Sequence, residues 1–337
     1  MSSAALLASG RLGRASSAQS ASMPNEPFTQ FQERRRKELW SLLGDLPWQH
    51  TPGAPTVVAT EKHDGYTLQR LVLDLNGVEP VPALLLIPDK RPSPAPGLLY
   101  IHWHGGMYDL GKEQLLRGVD VQPAYAPVCV EHGLVTLAID SWCFGERKRN
   151  TNGHVGEEDA FKLMLWNGQV LYGMMMFDEV RALDYLASRP EVDRRRLGCV
   201  GLSVGGYRSF LLAALDQRIK AAVDVGWMTA FAPAIRRHIL NTVGLTFHIP
   251  GLYRYLDLPD LAALIAPRSL LVINGSKDTL FPPDGVEKAF RKIEACFRKA
   301  SAAERQRCRL YDAPHQFNLE MQAEAWEWLE AHLARAA

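Results

Sequence analysis

Apolar and polar positions follow one another along this chain in a pattern that predicts alternating strands and helices. Five short apolar runs stand out, at residues 98–101, 134–139, 197–202, 219–225 and 270–273. Continuous apolar runs of this length are typical of strands that are buried on both faces of a parallel sheet. Helical patterns separate or follow them, at residues 179–188, 206–215, 285–300 and 319–336. The succession predicts an α/β fold with a mostly parallel central sheet, right-handed crossovers and helices on both faces.

The pattern is different in the stretch that precedes these runs. Residues 28–43 carry helix-forming residues, which predicts a helix packed on the body of the protein. Residues 65–75 alternate in part between polar and apolar, as a half-buried strand does, and residues 81–87 form a second strand-like run. Asn76-Gly77 lies between the two runs and favours a turn. We therefore expect an antiparallel hairpin here.

The first 22 residues have the composition of a tail rather than of a folded segment. They are rich in Ser and Ala and contain no acidic residue. We predict a disordered extension at residues 1–22, with an organelle transit peptide as the alternative. Residues 23–96 would then hold the N-terminal helix and the antiparallel edge strands, and residues 97–337 the core of the same domain.

Two long segments interrupt the alternation of strands and helices. Residues 141–176 and 227–267 are rich in Trp, Met, Phe and Tyr, and each follows the carboxyl end of a predicted strand. Ligands bind at that edge of open α/β sheets. Long insertions at the same edge commonly form lids or pocket walls, so we expect both insertions to border the functional site.

Composition and charge exclude several classes of protein. The 337 residues are 47% hydrophobic, enough for one large core, and the net charge of +1 gives no reason to expect nucleic acid as a partner. No apolar run reaches the roughly 18 residues that a membrane span needs. The five cysteines are odd in number and lack a C-x-x-C spacing, which argues against a disulfide framework or a zinc ribbon. A reduced compartment, the cytoplasm by default, is expected.

The strongest chemical signal is the motif Gly201-Leu202-Ser203-Val204-Gly205. The pattern G-x-S-x-G is short, but here it closes an apolar run and opens a helical one. That context predicts a nucleophile elbow, in which a serine lies on a sharp strand-to-helix turn and small neighbours avoid a collision. Ser203 is therefore the predicted nucleophile.

A serine hydroxyl needs a base, and the base needs an acid to orient it. Asp278 follows the predicted strand 270–273, and His315 follows a strand-like stretch and precedes the last helix. Their order after Ser203 is the order that elbow serines use. Asp224 and Asp312 are the rival acids, but Asp224 falls inside an apolar run and Asp312 is close enough to His315 to act as a loop cap.

The same chemistry requires two N–H donors for a developing oxyanion. One should be the backbone N–H of Val204, the residue after the nucleophile. The second should come from residues 102–106, which read His-Trp-His-Gly-Gly, because glycines allow the backbone to approach a substrate. His102 and His104 could also be read as a metal pair, but neither a third ligand nor a carboxylate cluster accompanies them, so we expect no metal.

These residues resemble the branch of the α/β-hydrolase superfamily that is related to dienelactone hydrolases and acetyl xylan esterases. The similarity extends from about residue 97 to the C-terminus. Beyond the elbow and triad motifs it includes Gly-Lys-Glu at 111–113, Arg-Ala-Leu-Asp-Tyr-Leu at 181–186, Arg-Pro-Glu-Val-Asp at 189–193 and Ile-Ala-Pro-Arg at 265–268. The resemblance implies the α/β-hydrolase fold, carboxylic-ester hydrolysis on a small-molecule substrate, and no cofactor. It also implies that the second oxyanion donor is the N–H of His104.

Two departures from the family pattern bear on the substrate. Trp103 stands where the family's His-Gly-His-Gly-Gly loop has its first glycine, so its ring either narrows the acyl pocket or packs structurally. The nucleophile is serine and not the cysteine of true dienelactone hydrolases, and the Arg-Gly-Gln motif of one acetyl xylan esterase family is missing. A serine peptidase or amidase of the same fold remains the enzymatic alternative, and a non-catalytic binding module is the distant one.

Overall fold

A computed structural model describes residues 26–148, 150–151, 154–237 and 243–334 of the chain. The predicted tail at residues 1–22 lies outside the described residues. Within those ranges, no helix is both long enough and apolar enough to cross a membrane.

A nine-stranded sheet runs through the protein, in the order β1-β2-β3-β5-β4-β8-β9-β10-β11. The first three strands pair antiparallel with one another, β3 pairs antiparallel with β5, and the other pairs in the sheet are parallel. The strands are β1 Thr56–His63, β2 Tyr66–Leu73, β3 Val81–Pro88, β4 Ala95–Ile101, β5 Val135–Ile139, β8 Val192–Leu202, β9 Ile219–Val225, β10 Ser269–Gly275 and β11 Gln306–Tyr311, with the short pair β6 Asn150–Thr151 and β7 His154–Val155 apart from them. This confirms the predicted, mostly parallel central sheet.

Helices cover both faces of the sheet, as predicted. They are α1 Phe28–Leu42, α2 Ala126–Glu131, α3 Gly156–Trp166, α4 Leu171–Ser188, α5 Val204–Leu215, α6 Phe231–Arg237, α7 Ala262–Ile265, α8 Pro283–Lys299 and α9 Leu319–Leu333. Apolar residues of α4, α5 and α8 join the core cluster on one face, and those of α2 and α9 join the cluster on the other.

The central strands are mostly apolar because both of their faces are buried. In β4, Leu98 and Tyr100 belong to the cluster under α9, whereas Leu99 and Ile101 belong to the cluster under α4 and α5. Successive side chains of a strand point to opposite faces, so a strand between two helical layers favours apolar residues at every position. The sheet therefore holds the carboxyl ends of its strands rigidly at one edge.

The predicted hairpin at the N-terminal side is present, but the sequence missed one strand. β2 and β3 pair antiparallel across Asn76-Gly77; Gly77 has a φ of 68°, and the Asn76 side chain accepts hydrogen bonds from the next backbone N–H groups. The edge strand β1 was not predicted. Its residues are mostly exposed, so its composition lacks the apolar alternation on which a strand prediction depends.

The two insertions contain regular elements of their own. The first, residues 141–176, contains α3 and also the beginning of α4, which starts at Leu171 and not at the predicted residue 179. The second, residues 227–267, contains α6, α7 and several single turns. It is fixed to α8 by Lys292, whose Nζ lies 3.0 Å from an Asp257 oxygen and 2.9 Å from an Asp260 oxygen.

Candidate active site

Ser203 lies on a sharp turn between the end of β8 and the start of α5. Its φ of 58° and ψ of −125° place it in a backbone region that non-glycine residues rarely adopt. The strain is held by the surroundings, since the Ser203 N–H donates to the Val225 carbonyl of the neighbouring strand at 2.7 Å. Strained backbone of this kind is concentrated at functional sites.

The glycines of the motif are required by space, as the sequence predicted. A Cβ atom added at Gly201 would lie within 2.6 Å of the Ile101 carbonyl oxygen and closer still to the backbone of Gly205. A Cβ atom at Gly205 would lie 2.8 Å from the carbonyl oxygen of His102. Real Cβ contacts are not this short, so larger residues would force the elbow apart.

The structure brings the predicted base and acid together. His315 Nδ1 lies 2.7 Å from Asp278 Oδ2, and the other carboxylate oxygen of Asp278 accepts the N–H of Leu280 at 2.9 Å. The Asp278 side chain is 2% exposed and the His315 side chain 26% exposed. The carboxylate is thus held within the protein while one edge of the imidazole faces the solvent side.

The base and the elbow lie over the same strand end. A Cβ atom added at Gly226, the residue after β9, would lie 3.1 Å from His315 Cε1, and Gly226 has a φ of 71°. The Ser203 N–H is hydrogen-bonded to the carbonyl of Val225, which is the residue before Gly226. Within the described residues no hydrogen bond joins Ser203 to His315; in apo enzymes this contact is often long and tightens when substrate binds.

The rival acids are placed elsewhere. Asp224 is fully buried inside β9, where burial raises the pKa of its carboxyl to about 8, and neither of its oxygens has a hydrogen-bond partner among the described residues. Asp312 is largely exposed and pairs with Lys277 at 2.9 Å, which holds its pKa below the usual value. Neither of these carboxylates contacts His315.

The loop at residues 102–106, which we call the oxyanion loop, is held by buried polar contacts. Arg208 on α5 donates to the His102 carbonyl at 2.6 Å and also pairs with Glu179 on α4 at 2.6 Å. Gln114 donates to the Trp103 carbonyl at 3.1 Å and accepts the Trp103 N–H at 3.0 Å. The backbone of the loop is therefore fixed from the elbow helix, from α4 and from the turn that holds Gln114.

Both histidines of the loop have their ring nitrogens engaged by protein groups. His102 Nδ1 lies 3.0 Å from the Trp103 carbonyl, and its Nε2 accepts the Ser141 N–H at 3.1 Å. Burial, with the nearby charge of Arg208, holds the pKa of His102 well below its usual value, so the ring is neutral. His104 accepts the Gly106 N–H on Nδ1, and its Nε2 contacts Glu157 at 3.0 Å.

Glu157 connects the loop to the first insertion. It lies in the first turn of α3, is almost fully buried, and also accepts a hydrogen bond from Tyr108 at 3.0 Å. Burial and the Glu157 charge raise the pKa of Tyr108, so the phenol stays protonated and keeps donating. The insertion predicted at residues 141–176 thus contacts the oxyanion loop directly.

Trp103 packs into the core cluster on the α9 side of the sheet. Its ring is 7% exposed, belongs to the core cluster with Tyr100 and Tyr125, and packs so closely on Gly105 that a Cβ atom there would overlap it. Trp103 also borders a small gap beside Val204. The ring packs mainly with the core under α9.

An apolar pocket of about 190 Å³ opens among residues of α5, the second insertion and the segment after Asp278. Its walls include Tyr207, Trp227, Phe231, Phe247, Leu280 and Phe281. Phe247 also borders the gap next to His104 and Val204, so one ring contributes to both spaces. Both predicted insertions therefore border this edge of the sheet.

Sequence reasoning missed the residues that hold the loop and line the pocket. Arg208 had a detectable signal, because it is the only charged residue in the otherwise apolar run of α5. Its partner Glu179 is the first residue of the predicted helix, whereas in the structure it lies in the middle of α4, where it is buried. Burial raises the pKa of Glu179 to about 7, against the opposing effect of the Arg208 charge.

Comparison with known proteins gives consistent matches. The sequence profile of the Abhydrolase family matches residues 11–299. A curated protein of Bacillus subtilis (strain 168), named "Putative hydrolase YtaP", is 37% identical over 272 residues, which are 80% of this chain and 89% of that protein.

Solved structures match at lower identity. One, described as a "putative acetyl xylan esterase" from Bacteroides fragilis NCTC 9343, has a TM-score of 0.71 at 18% identity and covers 84% of this chain and 75% of its own. A glucuronoyl esterase from Solibacter usitatus has a TM-score of 0.66 at 16% identity, over 92% of this chain and 95% of its own. At these identities the likeness is one of fold.

Proposed function

This chain belongs to the Abhydrolase family and is a hydrolase of the α/β fold, and on that basis we propose that it cleaves carboxylic esters with Ser203 as nucleophile, His315 as general base and Asp278 as the orienting acid. Membership confirms the resemblance that the sequence motifs indicated. The observation that carries the proposal is the 2.7 Å contact between His315 Nδ1 and Asp278 Oδ2, at the same sheet edge as the elbow of Ser203.

The first half of the reaction acylates the serine. His315 bonds to Asp278 through Nδ1, so its Nε2 is the nitrogen that takes the proton from Ser203 as the hydroxyl attacks the ester carbonyl. Asp278 holds the ring in that tautomer and stabilises the imidazolium. The imidazolium then gives its proton to the departing alcohol, and the acyl group remains on Ser203 as an ester.

The second half removes the acyl group. His315 takes a proton from water, and the resulting hydroxide equivalent attacks the acyl-enzyme carbonyl. Collapse of the tetrahedral intermediate returns the proton to Ser203 and releases the carboxylic acid. The free enzyme is regenerated, and the net reaction consumes one ester and one water.

The oxyanion donors in this proposal are the backbone N–H groups of Val204 and His104. Val204 begins α5, where the helix end favours negative charge and the first N–H groups have no partner within the helix. In the oxyanion loop, the Trp103 N–H is already bonded to Gln114. No hydrogen bond to another described residue engages the N–H of His104, which supports it as the second donor.

An ester is favoured over an amide as the substrate. The solved structures of similar fold are named as esterases, among them acetyl xylan esterases, glucuronoyl esterases and a methylesterase. The chemistry of the triad serves both bond types, so the rate on matched ester and amide substrates distinguishes them. We expect the ester of a given acid to react far faster than its amide; equal rates would make the protein an amidase.

The nucleophile can be tested by covalent labelling. A fluorophosphonate probe should modify one residue, Ser203, and Ser203→Ala should not react. Ser188→Ala, an exposed serine at the end of α4, is the matched control and should label like the wild type. Ser203→Ala should lose about 10⁴- to 10⁶-fold in kcat/KM for ester hydrolysis. Labelling of the intact Ser203→Ala protein, or a tenth of the activity retained, would refute the assignment.

A further inference from the structure

The apolar pocket is walled by aromatic rings that pack on one another. The rings of Tyr207 and Trp227 are stacked with centroids 5.4 Å apart, and Trp227 makes edge contacts with Phe247 at 5.9 Å and with Phe281 at 5.3 Å. All four side chains are less than a tenth exposed. Rings that brace one another in this way keep the space open when it is empty.

The interior of the pocket offers little to a polar ligand. The Thr229 hydroxyl, one of the few polar groups in the wall, donates to the Ala230 carbonyl at 3.3 Å. His248 is only partly buried, with its Nδ1 3.3 Å from the Leu245 carbonyl, and Arg254 is exposed at the rim. The Tyr207 and Tyr253 hydroxyls and the Trp227 indole N–H also stand in the wall, so a sugar that entered would exchange many hydrogen bonds to water for few partners, which opposes binding. A hydrocarbon group has no hydrogen bonds to water to lose.

The size of the space fits a hydrocarbon group of about six carbons. The pocket measures about 190 Å³. An apolar cavity of about 150 Å³ in another protein remains dry and takes up benzene. A ring of that size, or a chain of similar volume, would therefore fill this pocket, whereas an acetyl or methyl group would leave most of it empty.

Each member of the proposed triad lies next to a segment that leads into the pocket wall. Tyr207 donates its N–H to the Ser203 carbonyl at 2.9 Å. Trp227 follows the glycine that packs on His315, and Leu280 donates its N–H to Asp278. A group attached to an ester held at Ser203 therefore reaches this space and not a distant surface.

We propose that the natural substrate is an ester that carries an apolar group of about six or more carbons, and that this group binds in the pocket between Tyr207, Trp227, Phe247 and Phe281. The proposal rests on the proposed function, because it specifies the substrate of the same site. It distinguishes this protein from the esterases of acetylated sugars that share its fold.

Plain alkyl esters test the proposal, because an aryl leaving group such as p-nitrophenol could itself fill the pocket. Methyl heptanoate and hexyl acetate are isomers that place the same chain on the acyl and on the alcohol side. One or both should exceed methyl acetate by about 1,000-fold in kcat/KM, since each of the five additional methylenes contributes about fourfold when it is buried. The isomer that gains identifies the half of the ester that enters.

A substitution that fills the pocket tests whether the preference for the longer ester arises there. Ala234 on α6 is buried in the pocket wall, so Ala234→Phe should reduce the ratio of the preferred isomer to methyl acetate at least tenfold. Ala232→Phe, on the same helix but not in the wall, should keep the wild-type ratio. If methyl acetate is hydrolysed as fast as both isomers, the proposal is wrong.

Direct binding separates this proposal from the proposed function. Hexyl acetate and methyl heptanoate, titrated into Ser203→Ala by calorimetry, should bind at least tenfold more tightly than methyl acetate, and Ala234→Phe should remove the difference. If the wild type hydrolyses no ester but this binding is found, the proposed function fails and the pocket assignment stands. If the isomers bind no better than methyl acetate, the pocket assignment fails whatever the activity.

Discussion

The oxyanion loop and the apolar pocket are held by different forces. The loop is fixed by directional contacts from Arg208, Gln114 and Glu157, two of them buried charges, with distances of 2.6 to 3.0 Å. The pocket is fixed by ring packing among residues of α5 and the second insertion. The loop sets where the N–H of His104, a proposed oxyanion donor, points; the pocket sets how large an apolar group can be.

This difference predicts that substitutions in the two regions have different effects on ester hydrolysis. Hydrogen bonds depend on angle and distance, so the polar region suits the stabilisation of a charge that develops at one point. Apolar burial depends on area and hardly on direction, so the pocket suits discrimination by size. Substitutions in the polar region should lower the rate on all esters alike, whereas substitutions in the pocket should change the preference among esters.

The largest effect is expected at the acid. Asp278→Asn should lower kcat by about 10⁴-fold, because an amide favours the wrong tautomer of His315. The ratio of hexyl acetate to methyl acetate should be unchanged, because the pocket is untouched. Both are measured from steady-state kinetics with the two esters. A ratio that changes with the rate would show that the two regions do not act separately.

The second effect concerns the clamp on the oxyanion loop. Arg208→Met should lower kcat about 10- to 100-fold on every ester with little change in KM, because the His102 carbonyl loses its donor and the N–H of His104, one peptide unit further along the loop, loses its position. The single variant leaves Glu179 buried without its partner, which is destabilising by about 3–5 kcal/mol. The double variant Arg208→Met/Glu179→Met removes both charges and should fold while retaining the kcat defect. A double variant with wild-type kcat would limit Arg208 to a structural role.

The third prediction concerns the boundary between the regions. Because the Trp103 ring packs in the cluster with Tyr100 and Tyr125, Trp103→Ala should lower the free energy of unfolding by about 3–5 kcal/mol. The ranking of alkyl esters should remain that of the wild type. Thermal unfolding and the ester series measure the two effects. A shift of about 10- to 200-fold toward longer acyl chains would instead assign the ring to the acyl pocket.

The smallest catalytic effect is expected at Asp224, whose substitution by Asn should change kcat less than about threefold. Its effect is on stability. The pKa of Asp224 is raised by burial from 3.8 to about 8, so between about pH 4 and 8 the folded protein keeps a proton that the unfolded chain has lost. Stability contributed by this group therefore falls as pH rises through that window.

Because asparagine cannot ionise, the stability of Asp224→Asn should not show this dependence on pH. The free energy of unfolding of Asp224→Asn, measured by denaturant unfolding, should rise relative to that of the wild type by on the order of a few kcal/mol between pH 5 and pH 8. Parallel pH profiles of the two proteins would refute the buried, protonated state. A loss of activity as large as that of Asp278→Asn would make Asp224 the acid.

The sequence could predict the sheet because its signals are local. Apolar runs such as residues 219–225 report burial on both faces, and the elbow at Ser203 is defined by neighbours in the chain. Asp278 and His315 were found from chain order after predicted strands, and the structure brings these two side chains together. In each case the residues concerned are either neighbours in the chain or brought to one edge of the sheet by the pairing of parallel strands.

The loop clamp and the pocket walls could not be predicted in this way. The clamp joins residues from α4, α5 and the oxyanion loop through side chains whose meeting depends on helix packing. The pocket is built from single turns such as Leu245–Phe247, which have no period that a pattern could reveal. The sequence indicated that the second insertion borders the site, and only the packing of its rings shows which residues do so.

Phe247 connects the two regions, because its ring contacts Trp227 in the pocket and lies 5.3 Å from the ring of His104 in the oxyanion loop. A group that fills the pocket would press this ring toward the loop. Binding energy from a part of the substrate that does not react could thereby be used to align the N–H of His104, where it lowers the barrier instead of tightening the ground-state complex. In that case a longer ester has a higher kcat and not only a lower KM. In Phe247→Ala the longer ester would keep its lower KM but lose its higher kcat.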